Sequence, residues 1–410
     1  KRVHYVTRIQ EGEYLMTPKV QTGLDRLCAE SFASLRGRRV GICCNPTTVN
    51  ASLQHIVTCL KGYTEVSVVA LFGPEHGIFA DAQDMIEVSG THIDATLNVP
   101  VYSLYGSDEA SLRPKPEMLE GIDLLLFDIQ DVGSRYYTYV YTMAFLMEAA
   151  GRAGIEVWVL DRPNPINGLD VEGSLIQEGF HSFVGQFSLA NRHGLTSGEL
   201  ALMFRDAFGI SCTLKVIEME GWKRTMWYDQ TGLPWVMPSP NMPTLDTATV
   251  YPGGCLWEGT NLSEGRGTTR PFELVGAPYL DAYALCERLA GFDLPGVDFR
   301  PVGFLPTFQK WGKEACAGVQ LHVTDRSAFR PFLTGVALIC AARALSPESF
   351  AWRTQTYEFV SDRLAIDLLL GGTTIREAIE QGESLSNIAG LWEEEEGRFR
   401  AFREDFLLYS

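Results

Sequence analysis

An α/β fold is predicted for this chain: a doubly wound, mainly parallel sheet followed by a smaller C-terminal α/β domain. Three observations predict it. VSVVALFG (66–73), IDLLLFDIQD (122–131) and IEVWVLDRPNP (155–165) are apolar runs with almost no polar alternation, the pattern of parallel strands covered on both faces. Each run stops at turn residues and acids, which places polar groups at the carboxyl ends of the strands, where open α/β sheets bind ligands. A helical pattern over 138–152, closed by Gly154, lies between the second and third runs and completes a βαβ alternation. A chain of 410 residues exceeds the usual size of one core, so two domains are expected.

In chain order, residues 1–17 are polar and irregular and are expected to form an arm or short hairpin. RRVGICC (38–44) predicts the first strand, stopped by Asn45-Pro46-Thr47-Thr48. Helical spacing over 51–60 supplies a crossover to the strand that ends at Gly73. Residues 81–98 are mixed and predict loop, 99–105 a short strand, and PKPEMLEG a turn of helix. In HGLTSGELALMFRDAFG (193–209), Thr196 is the expected N-cap, with Glu199 three residues on as in a capping box, so Glu199 is assigned to the helix rather than to catalysis. Proline and glycine crowd 232–254, which predicts a domain junction near Ala248, between a catalytic domain over 18–248 and a second domain over 249–410. That second part reads as helices over 279–289, 329–345 and 361–369 with strands such as GVQLHVTD. Its closing WEEEEGRFRAF reads as a solvated helical face.

A hydrophobic fraction of 46% and near-zero mean hydropathy fit a globular enzyme. The formal charge of −17 argues against a nucleic-acid partner, and no apolar run approaches the ~20 residues of a membrane span. The nine cysteines are odd in number and form no C-x-x-C or His/Cys set, so buried free thiols are expected rather than ligands or bridges. Unpaired thiols suit a reducing compartment and so a cytoplasmic location, or a periplasmic or secreted one if a leader has been removed ahead of Lys1.

No G-x-G-x-x-G follows a strand, and no P-loop, G-x-S-x-G elbow or H-E-x-x-H occurs. The chemistry is left to carboxylates in loops. Glu75, after Phe72 and Pro74, sits where apolar surroundings would let it hold a proton as a general acid, with His76 tuning it or binding substrate; alternatively Glu75 caps a helix and His76 merely packs. Asp128 and Asp131 of FDIQD, flanking Gln130, are candidates for base, nucleophile or sugar ligand, or for a turn cap. Arg135 offers a fork for a carboxylate beside Tyr136, Tyr137, Tyr139 and Tyr141, although Tyr136 and Tyr141 read more simply as core. Asp161, Arg162 and Asn164 of DRPNP form either a site or a stabilised turn, and Glu172 is a further acid. WEGTNLSEGRGTTRPFELVGAP adds Glu258, Asn261, Glu264, Arg266 and Arg270 in a polar loop suited to binding.

Taken together, GPEHG, LLLFDIQDVGSRYYTY, VLDRPNP, HGLTSGELA, SPNMPTLDTATVYPG and EGTNLSEGRGTTRPFELVGAP resemble the NamZ-type exo-β-N-acetylmuramidases, in register from about Val20 to the C-terminus. The resemblance implies a Rossmann-like N-terminal domain and a smaller C-terminal one with the site in the cleft between them. It also implies release of N-acetylmuramic acid from the non-reducing end of peptidoglycan sugar fragments. It puts Glu75 first as catalytic acid, and makes His76, the FDIQD and SRYYTY loop and the SEGRG loop its lining. The binding set taken with it includes His193 and Asn241. Phe79-Ala80-Asp81 after GPEHG and Thr48 after NPT depart from the glycine-containing pattern common in the family.

Glycoside hydrolysis ordinarily takes two carboxyls, about 5 to 5.5 Å apart for retention and about 6.5 to 9.5 Å for inversion, unless the substrate's acetamido group assists. Asp128, Asp131, Glu172, Glu258 and Glu264 are the candidates for the second, and Arg135 or Arg266 for the lactyl carboxylate of muramic acid. On this reading the substrate is a small saccharide or muropeptide and no metal or cofactor is needed. Two other readings are a sugar-binding protein without turnover and a metal-dependent hydrolase using Asp128, Asp161 and Glu75 as oxygen ligands.

Overall fold

The computed structural model describes residues 20–410 apart from Asp84 and Ser89; the arm expected over 1–17 lies outside these residues. Helix α1 (Gly23–Ala29), capped by Thr22 in a capping box with Asp25, leads into strand β1 (Arg39–Cys44). There follow α2 (Ile56–Leu60), β2 (Ser67–Gly73), β3 (His92–Asp94), β4 (Val99–Ser103), β5 (Leu124–Asp128), α3 (Tyr139–Ala153), β6 (Glu156–Leu160), α4 (Ser197–Asp206) and β7 (Leu214–Ile217). The second part holds α5 (Leu245–Gly254), β8 (Leu274–Ala277), α6 (Ala282–Ala290), β9 (Val297–Phe304), β10 (Cys316–Val323), α7 (Pro331–Leu345), α8 (Ala365–Leu370), α9 (Thr374–Gln381) and α10 (Leu385–Phe402).

The seven strands of the first part run in the order β3-β4-β2-β1-β5-β6-β7, parallel throughout except for the β3–β4 edge pair. The chain moves outward from β1 through β2 to β4, then returns to the other flank of β1 as β5, β6 and β7. That reversal makes the carboxyl ends of β1 and its neighbours the place where a doubly wound sheet opens a crevice. The predicted fold class is the observed one.

Burial on both faces explains the apolar strands. Leu125 and Phe127 join the core cluster under α3, while Leu124 and Leu126 join the one under α1 and α2. Cys43 and Cys44 divide between the two clusters in the same way, and all nine cysteines are free thiols. Helix α3 ends at Gly154, whose φ of +68° suits the left-handed position that closes a helix. Thr196 and Glu199 form the expected capping box of α4, and Glu199 also pairs with Arg224.

The structure corrects several boundaries. Only Ile56–Leu60 of the helix expected over 51–60 is helical, because His55 caps it late. Strand β7 was hidden in an edge sequence, LKVI, buried only at Ile217. The expected domain junction near Ala248 stands apart from these corrections: helix α5 runs through that stretch. Its glycines serve packing: a Cβ on Gly253 would stand 1.8 Å from the Pro331 carbonyl oxygen, and one on Gly335 would stand 2.4 Å from that of Gly253. Helices α5 and α7 therefore touch backbone to backbone. The small sheet of the second part is antiparallel, in the order β8-β10-β9.

The two parts are tied by buried polar bonds. Glu172 accepts from the Phe332 and Leu333 amides at 3.1 and 2.9 Å, at the N-terminus of α7, where free N–H groups favour an anion. Arg135 donates to the carbonyls of Ser174, Leu189 and Leu369 at 2.5, 2.7 and 2.6 Å. Among the described residues no helix is long and apolar enough to cross a membrane.

Candidate active site

A cleft opens between the two parts. From the first it is lined by Glu75 and His76 after β2, and by Tyr136 to Tyr139 between β5 and α3. From the second it is lined by Tyr251, Glu258, Arg266, Phe272, Tyr357 and Glu358, with Ser239, Asn241 and Met242 on the segment that joins them.

The turn Gly73-Pro74-Glu75-His76-Gly77 sets the acid. His76 sits in the left-handed region (φ +67°), uncommon for a residue with a Cβ, and its Nδ1 lies 2.9 Å from the Ala82 carbonyl oxygen. This sharp reversal leaves Glu75 only 5% exposed, with its Oε2 accepting from the Thr138 hydroxyl at 2.6 Å. On the opposite wall Glu258 accepts from Arg266 and from the Tyr357 hydroxyl, both at 2.7 Å. Arg266 also reaches Glu264 at 3.1 Å, and Lys310 meets the other oxygen of Glu264 at 3.0 Å. Burial works against ionisation of Glu264, but Lys310 and Arg266 outweigh it and hold the carboxyl down at about 2. Glu358, at φ +44°, accepts from the Tyr105 hydroxyl at 3.2 Å.

Of the residues singled out from sequence, Glu75, His76, Tyr137, Tyr139, Asn241, Glu258 and Arg266 line the cleft, as does Tyr136, which the sequence read more simply as core, and Glu264 stands behind Arg266. The others are drawn elsewhere. Both oxygens of Asp128 are taken by Arg162, through Nε and, at 2.9 Å, through Nη2, so the acid placed in the catalytic set is a buried ion pair. Asp161 accepts from the Thr196 and Tyr409 hydroxyls and the Arg162 and Gly198 amides, at the start of α4. Gln130 donates to the Asp131 and Pro163 carbonyls, and Asp131 accepts from the Gly133 amide with His193 Nε2 at 3.4 Å. Asn164 braces the DRPNP turn through the Leu195 carbonyl and the Ile166 amide. Asn261 holds Tyr279, Ser349 and Ala351. Glu172 and Arg135 are the ties between the two parts described above, and with three carbonyls on its guanidinium Arg135 does not line the cleft. Glu75, Asp128 and Asp161 form no oxygen trio.

Ser239, Tyr357 and Glu358 escaped the sequence reading, and Thr138 entered it only as part of the SRYYTY loop. Ser239 looks like an ordinary turn residue. An acid flanked by aromatics in the polar stretch RTQTYEFVSD was the available signal for Tyr357 and Glu358.

Family models described as the N-terminal and C-terminal parts of the exo-β-N-acetylmuramidase NamZ match residues 40–246 and 249–409. A Bacillus subtilis (strain 168) protein, the peptidoglycan β-N-acetylmuramidase NamZ, is 48% identical over 392 residues, covering 96% of this chain and 92% of that one. Two crystal structures of DUF1343 family proteins from Bacteroides fragilis NCTC 9343 superpose with TM-scores of 0.86 and 0.72. They are 36% and 30% identical, and the matches cover 96% and 95% of this chain and 99% of each of theirs. With both models matched in order along one continuous fold, the chain belongs to the NamZ family of exo-β-N-acetylmuramidases.

Proposed function

We propose that this protein is an exo-β-N-acetylmuramidase that releases N-acetylmuramic acid from the non-reducing end of peptidoglycan sugar fragments, with Glu75 as its general acid. The observation that carries the assignment is the position of Glu75, a carboxyl with one hydroxyl partner, in the cleft between the two parts. A carboxylic acid there protonates the glycosidic oxygen as the C1–O bond breaks, and the resulting carboxylate then takes a proton from the incoming water. The second carboxyl is sought in Glu258 and Glu358, since these are the other acids among the described residues that line the cleft. Arg266, the cation in that lining, is assigned to the lactyl carboxylate of muramic acid.

Glu75→Gln tests the acid. Its kcat should fall by about 10²- to 10⁴-fold on a muramoyl disaccharide, whose sugar leaving group needs a proton, and less on a p-nitrophenyl glycoside, whose leaving group does not. Undiminished disaccharide hydrolysis by Glu75→Gln would remove Glu75 from the role.

A further inference from the structure

Tyr137 holds a polar atom that the protein itself leaves unused. Its ring is 6% exposed and wedged edge-on between Tyr139 and Tyr251, at centroid distances of 4.8 and 5.8 Å. The hydroxyl is buried and makes no hydrogen bond of proper geometry, with the Ser239 and Tyr139 hydroxyls as polar neighbours. Tyr139 has spent its own proton on the Pro238 carbonyl at 2.5 Å. Leaving such a group unpaired costs free energy that a phenylalanine would avoid, so its retention in the cleft calls for a ligand atom. Burial raises the phenol well above its ordinary range, which keeps it a donor.

The apolar wall beside it is the ring of Tyr251, which packs in turn edge-on against Phe272 at 4.8 Å, and Val184 and Met242 line the same cleft. A lone donor beside an apolar wall matches a small secondary amide, whose carbonyl oxygen accepts one bond and whose methyl group packs against carbon. We propose that Tyr137 and this wall form the subsite for the 2-acetamido group of the sugar, with the Tyr137 hydroxyl donating to the acetamido oxygen. The inference rests on the glycosidase reading and adds that the enzyme selects N-acetylated over de-N-acetylated muramic acid through one hydrogen bond.

The test is binding in the Glu75→Gln background, with and without Tyr137→Phe, measured by calorimetry with N-acetylmuramic acid and with muramic acid. Tyr137→Phe should weaken N-acetylmuramic acid about ten-fold and leave muramic acid within about two-fold. It should also leave the melting temperature of the free protein unchanged or raised, since the unpaired hydroxyl is gone; a tyrosine with a merely structural bond would lower it. Equal weakening of both sugars, no weakening of either, or a lowered melting temperature would overturn the proposal. Whether Glu75→Gln still turns over bears on the acid alone and leaves this affinity ratio readable.

Discussion

The hydroxyl of Thr138 donates to the Glu75 carboxylate at 2.6 Å, although Thr138 is the N-cap residue of α3 and makes no capping bond with that side chain. An N-cap threonine usually satisfies an amide of its own helix, a bond worth about 1 kcal/mol. Here the hydroxyl is turned away to fix an acid that arrives from another strand. A hydroxyl can donate to a carboxylate and accept from a carboxylic acid, so it can orient Glu75 at both stages of a proton transfer.

Thr138→Val keeps the shape and removes that partner. The expected outcome is a fall in kcat of about ten-fold with KM little changed, because the acid loses orientation rather than the substrate its contacts. Steady-state kinetics on a muramoyl disaccharide check this; an unchanged kcat would show that packing alone holds Glu75.

Arg266→Ala should erase preference for muramic acid over glucosamine at the scissile sugar. It should lower kcat/KM for the muramoyl substrate by roughly 10- to 100-fold, the scale of a charge-assisted bond. Paired kinetics on the two glycosides give the ratio, and an unaltered ratio would free the lactyl carboxylate from Arg266.

Asp128→Asn should behave as a stability variant. Removing one partner of a buried pair leaves Arg162 uncompensated and costs about 3–5 kcal/mol. Denaturant unfolding should show a midpoint shift of that size, while the folded enzyme keeps its kcat, since Asp128 does not line the cleft.

Glu264 gives the protein an acid-labile term of known sign. Its carboxyl is held at about 2 in the fold against an ordinary 4.5, so the stabilisation is complete above about pH 4.5 and is lost as pH falls from there toward 2. Glu264→Gln should therefore be less stable than the parent at pH 7 and should approach it as the pH falls, as melting curves between pH 3 and pH 7 would show.

Local chemistry accounts for what was legible in the chain itself. Apolar runs unbroken by polar alternation mark β1, β2, β5 and β6 because both faces of each are covered. Thr196 and Glu199 announce the start of α4 because a capping box spans only three residues. The acid after Gly73-Pro74 is visible because a strand that must stop delivers its next side chain to the sheet edge.

Which polar residues meet in the cleft was beyond such reasoning. Asp128, Asp161, Glu172 and Asn261 look as suitable as Glu75 and Glu258 in the sequence, yet their partners hold them away from the cleft. Arg162 lies 34 residues from Asp128, the Leu333 amide 161 residues from Glu172, and the Leu369 carbonyl 234 residues from Arg135. Tyr105 and Glu358, which share a hydrogen bond, are 253 residues apart. By itself the sequence determined the parallel strands, the helix ends and an acid at the carboxyl edge of the sheet, because those follow from neighbours within a few residues. The packing of the second part on the first decided which charges face the cleft, because a buried polar group takes whatever partner the folded chain brings within 3 Å, and that distance has no counterpart along the sequence.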